Sequence, residues 1–417
     1  MVLDIDAYIK EFTFYEKRDL FNLDSNVGRT RVKKELINDV SINKYINEFW
    51  TSKQRQASEL HEIAYRACFK PQLPRFFIQL LTNERDIVYD PFVGRGTTAV
   101  EAGLMGRFVA ANDVNPLSII LTRPRFYIPK MNELVERLDK INIDRNAKAE
   151  TDLSMFYHSQ TEAEICSLKR YLKLKEEAGE EDYIDAWIRM VATNRLTGHS
   201  KGFFSVYTLP PNQAVSPESQ KKINEKRNQK PDYRNTKDLI LRKSRQLTSG
   251  LSEMQAEALK EIGDQAIFLT VDARLTSEIP EEAVQLTVTS PPFLNIVQYA
   301  QDNWLRCWFN SIDPNAVANK ITMAKTIREW SDFIGAVFRE LYRITKKGGW
   351  VAFEVGEVQN GKINLDEYVV PLGLKAEFNC EGIIINEQDF TKTSNIWGIG
   401  NNRRGTNTNR IVLFQKT

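Results

Sequence analysis

Histidine is scarce in this sequence of 417 residues: His61, His158 and His199 are the only three, and none is paired at ligand spacing. Metal catalysis built on histidine pairs and nucleophilic catalysis built on a histidine triad therefore lose most of their support. Cysteine is nearly as rare. Cys68, Cys166, Cys307 and Cys380 are too scattered for a zinc cluster or a disulfide framework, which leaves reduced thiols in a cytoplasmic protein as the expectation. Long apolar runs are missing; Ile383-Ile384-Ile385 is typical of the longest, far short of the ~20 residues that cross a bilayer. The first residues, Met1-Val-Leu-Asp-Ile-Asp, lack the basic and apolar regions of a secretory signal, so no membrane partner is expected. Nor does one sign of charge prevail, since 57 Lys and Arg against 55 Asp and Glu leave a net charge of +2.

What is present is ordinary in bulk and uneven in detail. Hydrophobic content of 42% and charged content of 27% describe a globular chain, long enough for two or three domains of ~150 residues. Residues 221–245 hold ten Lys and Arg (Lys221, Lys222, Lys226, Arg227, Lys230, Arg234, Lys237, Arg242, Lys243, Arg245) against Glu225, Asp232 and Asp238. A solvated surface explains such a run by itself; a polyanionic partner gives it a second meaning.

Four parts are expected. Residues 1–50 are a mixed polar and aromatic extension that reads as helical. Residues 51–124 alternate as an α/β sheet does: Ile78–Leu81 on a helix, Ile87–Tyr89 a buried strand, Thr98–Met105 a helix closed by Gly106, and Phe108–Ala111 the next strand. Residues 125–262 interrupt the rhythm with helical faces, Ile165, Leu168 and Leu172 on one, Ile184, Trp187, Ile188 and Val191 on another. The proline-bearing stretch between Tyr207 and Lys237 reads as loop. In residues 263–417 the alternation returns with strands at 266–271, 284–289, 350–355 and 410–414, a helix at 333–344 and a turn at Lys347-Gly-Gly349. The fold class is thus α/β, a doubly wound Rossmann-like sheet interrupted by a mostly helical insertion.

Two segments carry chemistry. Asp90-Pro-Phe-Val-Gly-Arg-Gly-Thr-Thr98 runs from a strand through a glycine turn into a helix, so main-chain N–H groups and a positive dipole end face any ligand there. Position 99 is Ala, which spoils the dinucleotide fingerprint, and Gly96-Thr97-Thr98 lacks the lysine of a P-loop. Asp113 follows the second strand, nineteen residues after Gly94, where an acid can accept ribose hydroxyls. Far downstream, Ser290-Pro-Pro-Phe293 ends a strand in a rigid corner: the prolines lock the backbone without adding an N–H, and Phe293 offers a stacking face. Tyr299, Trp304 and Trp308, with Asp302-Asn303, lie in one amphipathic stretch beyond it.

Together the two segments resemble the paired signatures of DNA amino-methyltransferases, over about residues 60–120 and 265–417. The resemblance implies S-adenosylmethionine (SAM) as cofactor, with Asp90, Pro91, Phe92, Gly94, Gly96, Thr97, Thr98, Asp113, Asp272 and Ala273 around it, and no metal. Asp272 resembles the position that faces the adenine amino group, and Ala67–Pro74, with Phe69 and Pro71, the segment that closes over the methionine moiety. Lys346-Lys-Gly-Gly349 and Asn407-Thr-Asn-Arg410 resemble further family segments. Ser290, Pro291, Pro292 and Phe293 stand at the catalytic corner, where acceptors around an exocyclic amine favour its attack on the methyl group. Serine at 290 is typical of cytosine-N4 enzymes, whereas aspartate there is typical of adenine-N6 enzymes and also serves RNA guanine-N2 methylation. Motif order makes 125–262 the target-recognition candidate, with Arg195, His199, Lys201, Phe203, Phe204 and Tyr207 mixing basic and stacking groups. The implied partner is double-stranded DNA with its base flipped out, and the implied setting is restriction–modification or a related defence system, with a cognate restriction endonuclease or defence subunits alongside. An adenine-N6 enzyme, an RNA methyltransferase and a catalytically silent SAM- or DNA-binding protein remain the alternatives.

Overall fold

The computed structural model describes residues 4–13, 29–50, 57–65, 68–209, 215–292, 299–321, 324–358, 363–387 and 409–417. Nine strands form one sheet: β1 (Arg31–Ile37), β2 (Val40–Asn47), β3 (Ile87–Asp90), β4 (Phe108–Asn112), β5 (Ile267–Leu269), β6 (Val284–Thr289), β7 (Thr345–Val355), β8 (Asn379–Asn386) and β9 (Asn409–Gln415). Their spatial order is β1-β2-β8-β9-β7-β6-β3-β4-β5. The run β7-β6-β3-β4-β5 is parallel throughout, while β9 is antiparallel to both β7 and β8.

Alternation along these strands sends apolar side chains to both faces. Val88, Leu286, Val288 and Ala352 join one core with α2 (Gln72–Leu81) and α3 (Thr97–Leu104). Tyr89, Val351 and Phe353 join the other with α13 (Ile327–Ile344) and α14 (Asp366–Lys375). A parallel sheet needs cover on both faces, and this one has it, so the expected doubly wound α/β architecture is the observed one.

The remaining helices are α1 (Ile5–Glu11), α4 (Pro116–Thr122), α5 (Met131–Lys140), α6 (Ser159–Glu177), α7 (Tyr183–Arg195), α8 (Pro217–Arg227), α9 (Thr236–Thr248), α10 (Glu253–Gln265), α11 (Tyr299–Phe309) and α12 (Pro314–Lys320). Leu134, Ile165, Trp187, Ile240 and Leu259 from the middle of the chain lie in the same core as Val88 and Val100. The helices between Met131 and Gln265, α8 excepted, therefore share the sheet's core. The boundary expected at residue 263 falls inside α10, which packs on α3 and β4.

Three expectations need correction. Residues 1–50 are not helical throughout: beyond α1, β1 and β2 form a hairpin whose turn residues Asn38 and Asp39 have φ of 46° and 64°. The polar stretch after Tyr207 contains α8, started by a Ser216 side-chain cap and Pro217 in its first turn. Lys347–Gly349 is a bulge inside β7, since Thr345 pairs with Val284 and Trp350 with Leu286. Among the described residues no helix is long and apolar enough to cross a membrane, and no group of acids, histidines and cysteines could hold a metal ion.

Candidate active site

The strand order reverses between β3 and β6, and an open α/β sheet binds its ligands at the carboxyl ends of the strands at such a point. Asp90 ends β3 and Thr289 ends β6. Although they are 199 positions apart in the chain, the Thr289 hydroxyl donates to Asp90 Oδ1 at 2.6 Å. The same oxygen accepts from Phe92 N at 3.1 Å. Asp90 is only 2% exposed, and burial pushes its pKa up to about 7 against the opposing effect of these hydrogen bonds. Thr98 Oγ1 donates to Val288 O at 3.1 Å, which ties the first turn of α3 to β6. The glycine segment and the strand that carries Ser290 are thus fastened together twice.

The two glycines of the loop serve different ends. A Cβ on Gly94 would meet nothing closer than Cys68 Sγ at 3.8 Å, so what requires glycine there is a φ of +52°. A Cβ on Gly96 (φ +81°) would lie 2.6 Å from Thr122 Cγ2 and 2.7 Å from Arg125 Nη2. Gly96 therefore lets the loop sit against α4. Beneath the loop lie two buried arginines that the sequence did not announce. Arg95 donates to Ile63 O at 3.0 Å, and Arg125 to Leu60 O at 3.1 Å and Leu121 O at 2.9 Å, as well as to Arg95 O. Burial, reinforced by Arg95, pulls Arg125 down to about 9. Nearby, buried Glu101 of α3 accepts from His61 Nε2 at 2.8 Å and Arg75 Nε at 2.5 Å. These bonds fasten the segment from Leu60 to Ile63, and α2 through Arg75, around the glycine turn.

Asp113 stands at the mouth of that turn. Gly94 N donates to its Oδ2 and Asn115 N to its Oδ1, each at 3.0 Å, while burial raises its pKa. Asn115 caps α4 and donates through Nδ2 to Tyr65 OH at 2.9 Å. Asn112, which sequence reading passed over, clamps the neighbouring segment: it accepts from Val271 N and donates to Val271 O, both at 3.0 Å. Asp272 follows, bound by Arg274 Nε at 2.9 Å and Nη2 at 2.6 Å, and this pairing holds its carboxyl below the usual range. Ala273 is buried in the α13 core, and Phe92 packs on Phe333 with ring centroids 6.1 Å apart.

At the corner, Pro291 is buried and Pro292 is half-buried. The Pro292 carbonyl accepts from Trp330 Nε1 of α13 at 3.0 Å, which fixes the turn from outside. Phe293 lies outside the described residues, as does Ala67. Glu354 of β7 is near enough to the Ser290 hydroxyl for the serine to favour its charged form, and its carboxylate accepts from Asn409 Nδ2 at 2.6 Å. Burial raises the Glu354 carboxyl above its usual value. A lone carboxylate inside the apolar strand Trp350–Val355 was the available signal for this residue.

The other candidates divide. Arg195 lies over the Phe203 ring at 4.0 Å, whereas Phe204 is wholly buried core. Trp304 donates to Val215 O at 3.1 Å and Trp308 to Glu150 Oε2 at 3.3 Å, so both indoles are structural anchors.

The sequence model of the family described as DNA methylase matches residues 10–128. The Type II methyltransferase M.MjaII of Methanocaldococcus jannaschii is 30% identical over 95 residues, 22% of this chain and 18% of that protein. The chain thus spans less than a fifth of the length of this curated relative. A protein of Thermus thermophilus described as a DNA modification methylase, solved with S-adenosyl-L-methionine, is 22% identical, with 35% of this chain and 53% of that one covered at a TM-score of 0.22. The rRNA methyltransferase aviRa of Streptomyces viridochromogenes is 11% identical, with 88% and 93% covered at a TM-score of 0.34. Over residues 10–128, which hold the glycine loop and Asp113, this chain is similar to DNA amino-methyltransferases.

Proposed function

We propose that this chain is a SAM-dependent DNA methyltransferase that acts on the exocyclic N4 amine of a flipped cytosine in double-stranded DNA. The observation that carries the reading is the Thr289–Asp90 hydrogen bond, because it sets Ser290 beside the glycine loop at the sheet's switch point. The residues at the loop suit the cofactor. Asp113 is held by two backbone N–H groups and keeps acceptor capacity for ribose hydroxyls, and the start of α3 has no side-chain cap to occupy its N–H groups. Gly94, Thr97 and Thr98 are assigned to the same proposed cofactor site. When bound, SAM supplies an electrophilic methyl group on a sulfonium.

The chain's own residues prepare the amine. Ser290 favours the charged form of Glu354, and a hydroxyl that turns its hydrogen toward that carboxylate keeps its oxygen lone pairs free, so that Ser290 Oγ accepts an amino hydrogen. The Pro291 carbonyl is a second fixed acceptor, held in place by the bond from Trp330 to Pro292. Two acceptors on the amino hydrogens draw the nitrogen out of conjugation with the ring as charge develops. The proton shed by the amine passes through Ser290 Oγ to Glu354, whose raised pKa suits it to take one. Restriction–modification is the proposed setting, with a cognate endonuclease as functional partner.

Nucleoside digestion and mass spectrometry of DNA from cells expressing the protein tests this reading. N4-methylcytosine in DNA is the expected product. N6-methyladenine alone would overturn the base assignment and keep the chemistry; methyl groups confined to RNA, or none at all, would overturn the substrate or the activity.

A further inference from the structure

The middle of the chain holds two buried cations, Arg195 and Lys243, that form no ion pair with a carboxylate among the described residues. Arg195, at the end of α7, is 8% exposed, and Lys243, in α9, is 5% exposed. The Arg195 guanidinium lies over the Phe203 ring at 4.0 Å and donates through Nη2 to Asn194 Oδ1 at 2.5 Å, while its buried Nε has no hydrogen-bond partner among the described residues. Lys243 Nζ reaches Gln246 Oε1 at 3.1 Å. Arg242, the preceding residue, is exposed and reaches Lys201 O at 3.5 Å, and Arg306 of α11 faces the same space. Glu59 and Glu62 face it too, yet neither forms an ion pair with Arg195 or Lys243. Burial first, and then its neighbours Arg242 and Arg306, bring Arg195 down to about 10; burial and Arg195 bring Lys243 down to about 8.

Two desolvated cations without an ion pair are a costly arrangement, and an anionic ligand relieves it. A stacked guanidinium with a free donor and a lysine beside it match one phosphate, as a fork and a point charge do. His199, Lys201, Arg242 and Arg245 continue outward as an exposed rim, which suits a polyanion better than a small ligand. The cluster also adjoins the candidate active site: Asn194 Nδ2 and Arg306 Nη2 both donate to Ala64 O, at 3.3 and 3.0 Å, and the next residue, Tyr65, is bonded by Asn115 beside Asp113. We propose that Arg195 and Lys243 bind one backbone phosphate of the DNA strand that carries the target base, with Arg242 at the entrance. This rests on the DNA-methyltransferase reading above.

The test measures binding of a synthetic DNA duplex to the full chain across a salt series, and SAM binding by calorimetry. Lys243→Gln and Arg242→Gln should each weaken duplex binding several-fold and lower the slope of log K against log salt by about one. SAM affinity should stay unchanged. Arg195→Lys keeps the charge and loses the fork, so it should restore the salt slope and only part of the affinity that Arg195→Gln loses; Arg242, being exposed, supplies a variant whose folding is not at issue. Unaltered slopes in the folded Arg242→Gln and Lys243→Gln proteins would overturn the inference. So would a loss of SAM affinity without a change in slope, which would assign the cluster to the carboxylate of the cofactor, and so would the same residue dependence on an RNA duplex bound in preference to DNA. A wild-type chain that binds no DNA at any salt would instead overturn the methyltransferase reading itself.

Discussion

At the scale of single residues, the side chains that were legible and those that were not differ in one respect. Asp90, Asp113 and Ser290 were legible because their neighbours in the chain define them: a strand end, a glycine turn, a proline pair. Asn112, Glu354 and Trp330 were not, because each acts on a segment far away in sequence, across the sheet or from an outer helix. Their roles give distinct expectations. Asp113→Ala removes a partner from Gly94 N and Asn115 N and should weaken SAM binding by about 1–3 kcal/mol in calorimetry. Ser290→Ala should depress kcat far more than KM for DNA, with SAM affinity kept. Glu354→Gln keeps a hydrogen-bond acceptor for Ser290 but cannot take up its proton, so kcat should fall while KM holds, and Glu354→Ala should be worse in both. Equal losses in Gln and Ala would mean that Glu354 does no more than fill space.

At the scale of elements, the sheet's parallel centre was readable because its strands are short apolar runs bounded by turns and followed by helices. The hairpin of β1 and β2 was not legible in the same way, although Asn38-Asp39 between Ile37 and Val40 is a two-residue turn signal with both φ values positive. The alternation that should have flagged β1 is hidden, since all of Arg31–Lys34 is exposed and only Ile37 is buried. The obscurity of α8 has another cause: prolines at 210, 211, 217 and 231 read as loop formers, when Ser216-Pro217 is a helix start. The loop before α3 offers a clean test of what its second glycine does. Gly96→Ala would force a left-handed backbone on alanine and drive its Cβ into Thr122 and Arg125, so destabilisation of about 2–4 kcal/mol is expected in denaturant titration. Gly94→Ala, with ordinary contacts around its Cβ, should cost about 1 kcal/mol, that of the backbone conformation alone.

At the scale of the whole molecule, acids meet at one end of the sheet, and burial raises three of them: Asp90, Asp113 and Glu354. An unfolded Asp loses its proton near pH ~3.9, whereas folded Asp90 holds it to about 7. The folded chain binds the extra proton between those values, so stability should fall as pH rises from about 4 to about 7, by a few kcal/mol at most. Asp90→Asn should flatten that part of the profile; a melting temperature that rises through the window in the wild-type chain would contradict the assignment. The hairpin, finally, decides who the sheet can pair with. β8 carries Ile383-Ile384-Ile385, and its outer side is taken by β2. Asn386 staples the chain that follows β2, accepting from Phe49 N at 2.7 Å and Trp50 N at 3.2 Å. β1 then presents Arg31, Lys33 and Lys34 to solvent on the outermost strand, and charges there discourage a second chain from adding on. Deleting residues 29–47 would transfer that edge to the isoleucine strand, whose single charge is Glu381, a template for intermolecular pairing. The shortened protein should therefore self-associate in light scattering at concentrations where the full chain does not.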